Sequence, residues 1–278
     1  MNVTGKIIKQ ISNDYTILID GEILVCKARG KFRNMDVSPI VGDTVSVDYD
    51  NRYILSIEKR NNELIRPRIA NIDNAVIVTS VQIPEFSSNL LDKLLVIVEY
   101  NNINPIICFT KLDIIDDPKQ EEIKKYMDYY QRIGYPVYIN SDERIKEEFN
   151  GKITVFTGQS GAGKSTMLNW LDSSLAIKTD EVSVALGRGK HTTRHTELIN
   201  VCGGLIADTP GFSAVSFDAM TNADIRDNFI EFNEYRDSCE YKDCMHFDEP
   251  NCEIKRKVDE GIIIPSRYDN YLKFIGKR

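Results

Sequence analysis

No stretch of eighteen or more apolar residues occurs in the 278-residue sequence, so it offers no membrane-spanning helix. The start, MNVTGKIIKQISND, has neither the apolar core of a secretory leader nor the composition of a transit peptide, and the chain is expected to stay in the cytosol without membrane partners. Positive charge is also in short supply. Thirty-five Lys and Arg against 42 Asp and Glu leave a net charge of −7, so bulk charge gives no reason to expect nucleic acid. The imbalance is uneven: residues 1–70 carry +2 and the rest −9. Internal repeats and low-complexity segments are absent.

What is present reads as three parts. Residues 1–65 alternate apolar and polar positions in about five short runs (TGKIIKQ, YTILID, EILVCKA, TVSVDYD, RYILSIEKR), with Asp20-Gly21 and Gly42-Asp43 as turns. That pattern suits a small OB-fold β-barrel. From residue 66 to 216 strands alternate with helices: NAVIVTSVQ, the helical LLDKLLVIVEY with Leu91, Leu94, Leu95 and Val98 on one face, PIICFTK, an amphipathic helix from Pro118 to Ile133, PVYINS, KITVFTG and a helix from Lys164 to Leu171. Such alternation means a mostly parallel sheet covered by helices, while ELINVCGGLIADTPG should add an antiparallel hairpin. Residues 217–278 turn polar and helical around three of the six cysteines. Cys26, Cys108 and Cys202 stand alone in apolar runs, as small hydrophobes do.

GQSGAGKS, residues 158–165, is a complete G-x-x-x-x-G-K-S phosphate loop between a strand and a helix. Gly158, Gly161 and Gly163 let the backbone approach phosphate, with Gln159, Ser160, Ala162 and Thr166 completing the turn and the first helical residues. Lys164 should pair the β- and γ-phosphates and stabilise charge during transfer, and Ser165 should ligate Mg²⁺. In DTPG, at 208–211, Asp208 is placed to hold Mg²⁺ and the Gly211 N–H to sense the γ-phosphate. GRGKHTTRHTE, at 187–197, reads as a switch loop in which Thr192 or Thr193 closes on Mg²⁺. TKLD, at 110–113, selects guanine: Asp113 can accept from both N1–H and the 2-amino group, Lys111 covers the base, and Thr110 faces the phosphate loop. Asn140 and Ser141 are further candidates for the base site.

The order is base reader, phosphate loop, switch loop, DTPG. GTPases ordinarily place the base reader last, so the domain is circularly permuted. A Ras-like enzyme has Gln directly after DTPG to orient water; Phe212 stands there and cannot hydrogen-bond. His191, or failing that His195, is the available replacement. Cys239, Cys244, His246 and Cys252 gather three thiols and an imidazole within fourteen residues, the donor set of a closed structural Zn²⁺ site. Lys27, Arg29, Lys31 and Arg33, with Phe32 among them, could grip phosphates and stack a base, with Arg66, Arg68 and Lys255 to Lys257 extending the track.

Together CKARGKFR, VGDTVSVD, RPRIANIDNAVIV, TKLD, GQSGAGKST, GRGKHTTRHTE, DTPGF, the cysteine cluster and SRYDNYLK resemble the ribosome small-subunit-dependent GTPase A family along almost the whole chain. The resemblance implies an OB-fold barrel, a circularly permuted GTPase domain and a zinc-binding helical domain. It implies GTP hydrolysis with Mg²⁺, stimulated by the small ribosomal subunit and acting late in that subunit's assembly. It further implies catalysis by His191 with Thr193, contact with ribosomal RNA and a monomeric chain. Thr110 departs from the Asn common in the family, and its shorter side chain should brace the phosphate loop less well. Two rivals stay open: a P-loop kinase or ATPase, and an RNA-binding module with a structural nucleotide.

Overall fold

The computed structural model describes residues 1–30, 32, 37–65, 68–175, 177, 196–207 and 216–277. Its first five strands are β1 (Asn2–Ile11), β2 (Asp14–Ile19), β3 (Glu22–Ala28), β4 (Thr44–Asp48) and β5 (Tyr53–Ile57), closed into a barrel in the order β1-β2-β3-β5-β4. Alternation sorts the side chains as expected: on β3, Leu24 and Cys26 point in while Ile23, Val25 and Lys27 point out. Ile7, Ile17, Val45, Val47 and Ile54 fill the barrel, each fully buried. Asp20 and Gly21 both take positive φ (47° and 88°), the geometry that a two-residue turn needs to match the strand twist. A short hairpin of β6 (Glu63–Ile65) and β7 (Arg68–Ala70), which the sequence pattern did not announce, follows the barrel.

The second sheet has six strands: β8 (Asn74–Ser80), β9 (Asn104–Thr110), β10 (Val137–Ile139), β11 (Ile153–Thr157), β12 (Leu198–Val201) and β13 (Gly204–Ala207). Its order is β10-β9-β8-β11-β13-β12; β10 pairs with β9 and β11 with β13 in parallel, and β12 pairs with β13 antiparallel. β9 and β11 are buried almost throughout, as strands covered on both faces must be. Helix α1 (Ser88–Tyr100) starts where the Ser87 side chain accepts from the Leu90 N–H, and α2 (Asp117–Arg132) where Asp116 accepts from the Lys119 N–H, with Pro118 in its first turn. Helix α3 (Lys164–Leu171) follows the phosphate loop. The expected hairpin is present, but Cys202 is its half-buried turn residue at φ 51°, not a strand residue.

After residue 216 come α4 (Asn222–Asp227), α5 (Phe232–Tyr235), α6 (Glu253–Asp259) and α7 (Pro265–Phe274). Though polar in composition, this part has an apolar core: Ile225, Phe229, Phe232, Ile254, Ile263, Tyr271 and Leu272 pack together with Val96 of α1. Beside that core lies a fully buried guanidinium. Arg267 donates from Nη1 to Asp92 Oδ1 at 2.7 Å, from Nε to Glu231 Oε1 at 2.8 Å and from Nη2 to Glu231 Oε2 at 3.2 Å. Asn270 and Tyr130 each donate to Asp92 at 2.6 Å. Burial pushes the Asp92 carboxyl up, against the pull of Arg267.

By proximity the described chain forms two compact units, one of Met1–Val76, Ser141–Thr157 and Gly163–Ser213, the other of Ile77–Asn140, Gly158–Ala162 and Ala214–Arg278.

Candidate functional site

The phosphate loop leaves β11 at Thr157 and enters α3 at Lys164. Gly158 takes φ +130°, and a Cβ there would stand 2.1 Å from the Val78 carbonyl oxygen, so glycine is required on both counts. The Ala162 N–H donates to the Gln159 carbonyl at 3.1 Å, closing the turn, and Gly163 at φ 101° caps the helix. First-turn N–H groups find no carbonyl within their own helix, so Lys164, Ser165 and Thr166 stand where a helix receives an anion. Gln159, Ser160, Gly161 and Thr166 are exposed, and Ser165 is half-buried. Burial pulls the Lys164 ammonium below the usual lysine value; a phosphate beside it would favour the charged form.

TKLD sits at the end of β9, as expected. Thr110 is buried, and its Oγ1 donates to the Ala162 carbonyl at 2.6 Å. The shorter side chain thus reaches the phosphate loop through a single hydroxyl donor. Lys111, at φ 64°, donates from Nζ to the Gly161 carbonyl at 2.9 Å and also to the Ile83 carbonyl. This second clamp, from the segment after β8, was missed; only Pro84 beside it marked a special turn. Asp113 is exposed in the single 3-10 turn Leu112–Ile114. The Asn140 N–H donates to the Phe109 carbonyl at 2.9 Å, which brings Asn140 beside the base-reading strand end; Ser141 follows, exposed, at φ 70°. His191, Thr192, Thr193, His195, Asp208, Gly211 and Phe212 lie outside the described residues.

An expected result tests the base reader. Asp113→Asn should weaken GTP binding strongly and shift preference toward xanthine nucleotides, whose C2 oxygen accepts where guanine donates. Equal GTP affinity in variant and parent, by titration calorimetry, would refute the assignment.

The four metal-type donors do converge. The ligand atoms of Cys239, Cys244, His246 and Cys252 lie within 4.8 Å of one another, with His246 Nδ1 3.6 Å from Cys239 Sγ and 3.4 Å from Cys252 Sγ. Burial pushes the Cys244 thiol up to about 12 and the His246 imidazole down to about 4. Three sulfurs this close cannot all ionise without a cation among them, so the donor set fits a structural metal with no open position. SRYDNYLK explains its own composition here. Tyr268 and Tyr271 donate to the carbonyls of His246 and Met245, holding the loop that carries the imidazole, while Arg267 and Asn270 engage Asp92.

On the barrel, Lys27 is exposed and lies in register with Tyr53, which is 39% exposed. Arg29 reaches Asp48 at 3.7 Å and stands over the Tyr53 ring at 5.7 Å. Phe32 is buried at 6% exposure, so its ring is not offered to a base; Tyr53, by contrast, is an exposed aromatic beside Lys27. Lys31, Arg33 and Arg66 lie outside the described residues. Of the expected extension of the basic track, Arg68 pairs with Glu63, Arg256 with Glu253 and Lys257 with Glu260, while Lys255 donates to the Phe247 carbonyl and keeps its charge.

A phosphate loop opening a helix, braced by a TKLD element that precedes it in the chain, on this sheet, defines a circularly permuted P-loop GTPase. The family model described as RsgA GTPase matches residues 57–218, and the RsgA N-terminal domain matches residues 4–54. Small ribosomal subunit biogenesis GTPase RsgA of Enterococcus faecalis is 46% identical over 278 residues, covering 98% of this chain and 94% of that protein. Its Bacillus subtilis counterpart is 45% identical, covering 98% and 96%. Among solved structures, YloQ, described as a circularly permuted GTPase, superposes with a TM-score of 0.86 at 39% identity, covering 99% of this chain and 94% of its own. YjeQ from Thermotoga maritima gives 0.86 at 31% identity, with all of both chains covered. The chain belongs to the RsgA GTPase family.

Proposed function

We propose that the chain hydrolyses GTP while bound to the small ribosomal subunit, late in that subunit's assembly, and that hydrolysis drives its release. The observation that carries the GTPase reading is the junction of Thr110 and Lys111 with the carbonyls of Ala162 and Gly161, which ties a guanine-reading strand end to the phosphate loop. The ribosomal reading is supported by the names of the relatives, which are small ribosomal subunit biogenesis GTPases.

Roles follow residue by residue. Gly158 to Thr166 hold the phosphates, Lys164 neutralising charge; Ser165, Thr193 and Asp208 hold Mg²⁺; Gly211 senses the γ-phosphate; His191 positions water; Asp113, with Lys111 and Asn140, reads the base. Mg²⁺ held by Ser165, Thr193 and Asp208 would neutralise phosphate charge. Zn²⁺ held by Cys239, Cys244, His246 and Cys252 fixes the end of the chain. Residues 1–65, 66–216 and 217–278 then act as an RNA-contacting barrel, a GTPase domain and a zinc-stapled helical part of one monomeric chain in the cytosol. Lys27, Arg29, Lys31 and Arg33 with Tyr53 form the contact to ribosomal RNA. Among the described residues no helix is long and apolar enough to cross a membrane.

The test is the GTPase rate against concentration of purified small subunits. It should be slow alone and rise to a plateau with subunits. Lys27→Ala/Arg29→Ala should shift the midpoint to higher subunit concentration and lower the slope of log affinity against log salt by roughly one for each phosphate that is no longer neutralised. A rate unaltered by subunits would leave the chain a GTPase without this partner.

A further inference from the structure

The barrel is joined to the sheet strand that follows the switch loop. Lys9 of β1 lies opposite Glu197 in an isolated antiparallel bridge, 188 positions away in sequence, and its Nζ donates to Glu197 Oε2 at 2.6 Å. Their side chains are 20% and 37% exposed. β1 is irregular at this point, its register against β2 shifting between Ile7 and Lys9. Glu197 immediately precedes β12, whose hairpin partner β13 ends at Ala207, directly before DTPG. The pair therefore stands just after the segment that carries His191 and Thr193, at the start of the hairpin that leads into Asp208 and Gly211.

From this juxtaposition we propose that Lys9 and Glu197 are positioning residues for subunit-stimulated hydrolysis: through their pairing, the RNA-contacting barrel fixes the root of the switch loop. The inference rests on the proposed ribosomal function and adds to it the route by which binding is felt at the phosphate. A partly exposed ion pair contributes little to folding stability. The barrel closes through its own ladders, and β12 is already held by β13, so neither element needs the pair in order to form. What the pair adds is a fixed relation between β1 and Glu197, at the start of β12. Coupling of this kind is reciprocal for binding: if a subunit on the barrel biases the loop, the nucleotide bound at the loop biases affinity for the subunit by the same factor.

The experiment compares the full-length parent with Lys9→Glu, Glu197→Lys and the double exchange. Turnover is measured alone and at saturating small subunits, together with subunit affinity in the presence of GDP and of a non-hydrolysable GTP analogue. Each single reversal should leave unstimulated turnover and the KM for GTP within about two-fold. Stimulated turnover should fall on the order of ten-fold at saturation, and the difference in subunit affinity between the two nucleotides should shrink by a similar factor, as expected when coupling is removed. The double exchange should restore both. Single variants stimulated as fully as a stimulated parent would overturn this inference alone, and so would a double exchange as impaired as the singles. A parent that subunits do not stimulate would overturn the ribosomal reading and this inference with it.

Discussion

Replacing Arg267 with Met should cost the protein about 3–5 kcal/mol of stability, the range for removing one partner of a buried ion pair. The guanidinium is fully buried and forked between Asp92 and Glu231, which are themselves buried. Methionine fills much of the volume but leaves two carboxylates facing each other in a water-poor site, with only neutral donors such as Asn270 and Tyr130 around them. Urea denaturation followed by circular dichroism measures the loss, and its pH dependence identifies the cause. In the variant the Asp92 carboxyl, already raised by burial, loses the opposing pull of Arg267 and stays above its unfolded value. Its protonated form is then favoured in the folded state, so stability is retained below the unfolded carboxylate range and lost as pH rises through the raised folded value. The deficit relative to the parent should therefore shrink from pH 7 toward pH 5. A loss below about 1 kcal/mol, the level of an exposed pair, would show that Arg267 does not hold the helical end onto α1.

His191→Ala should keep GTP affinity within a few-fold and lower turnover by roughly two orders of magnitude or more, the scale on which a positioned polar group assists phosphoryl transfer to water. The reason lies in what stands beside DTPG. Phe212 occupies the position from which a glutamine would orient the attacking water, and a phenyl ring offers neither donor nor acceptor. An imidazole two residues before Thr193 can supply both, and binding of the base and phosphates rests on other residues. Single-turnover hydrolysis with and without small subunits separates the chemical step from nucleotide exchange. Parental single-turnover rates in the variant would pass the role to His195 or to the partner.

The motifs readable in one dimension are those whose chemistry is local. A phosphate loop needs its N–H groups within one turn and one helix start, so GQSGAGKS carries its own geometry. The four Cys and His donors fall within fourteen residues and come together. Barrel strands and the β12–β13 hairpin show in alternation and turn residues, because inward and outward positions obey a period of two. The permuted order, too, is a matter of sequence alone.

Tertiary structure decided the rest, for one physical reason: a charged or polar side chain reads as solvated surface until the fold supplies its partner. Arg267 carries no local sign of its partners, yet it is matched by Asp92, 175 positions away, and by Glu231. Thr110 shows no partner in the sequence, yet its hydroxyl donates to the Ala162 carbonyl, 52 residues on, at 2.6 Å. Phe32 sits among basic residues like a stacking ring, but the fold buries it. Lys9 and Glu197 carry no mark in sequence, because nothing local relates a barrel strand to a residue 188 positions away; only the folded chain brings their charges together.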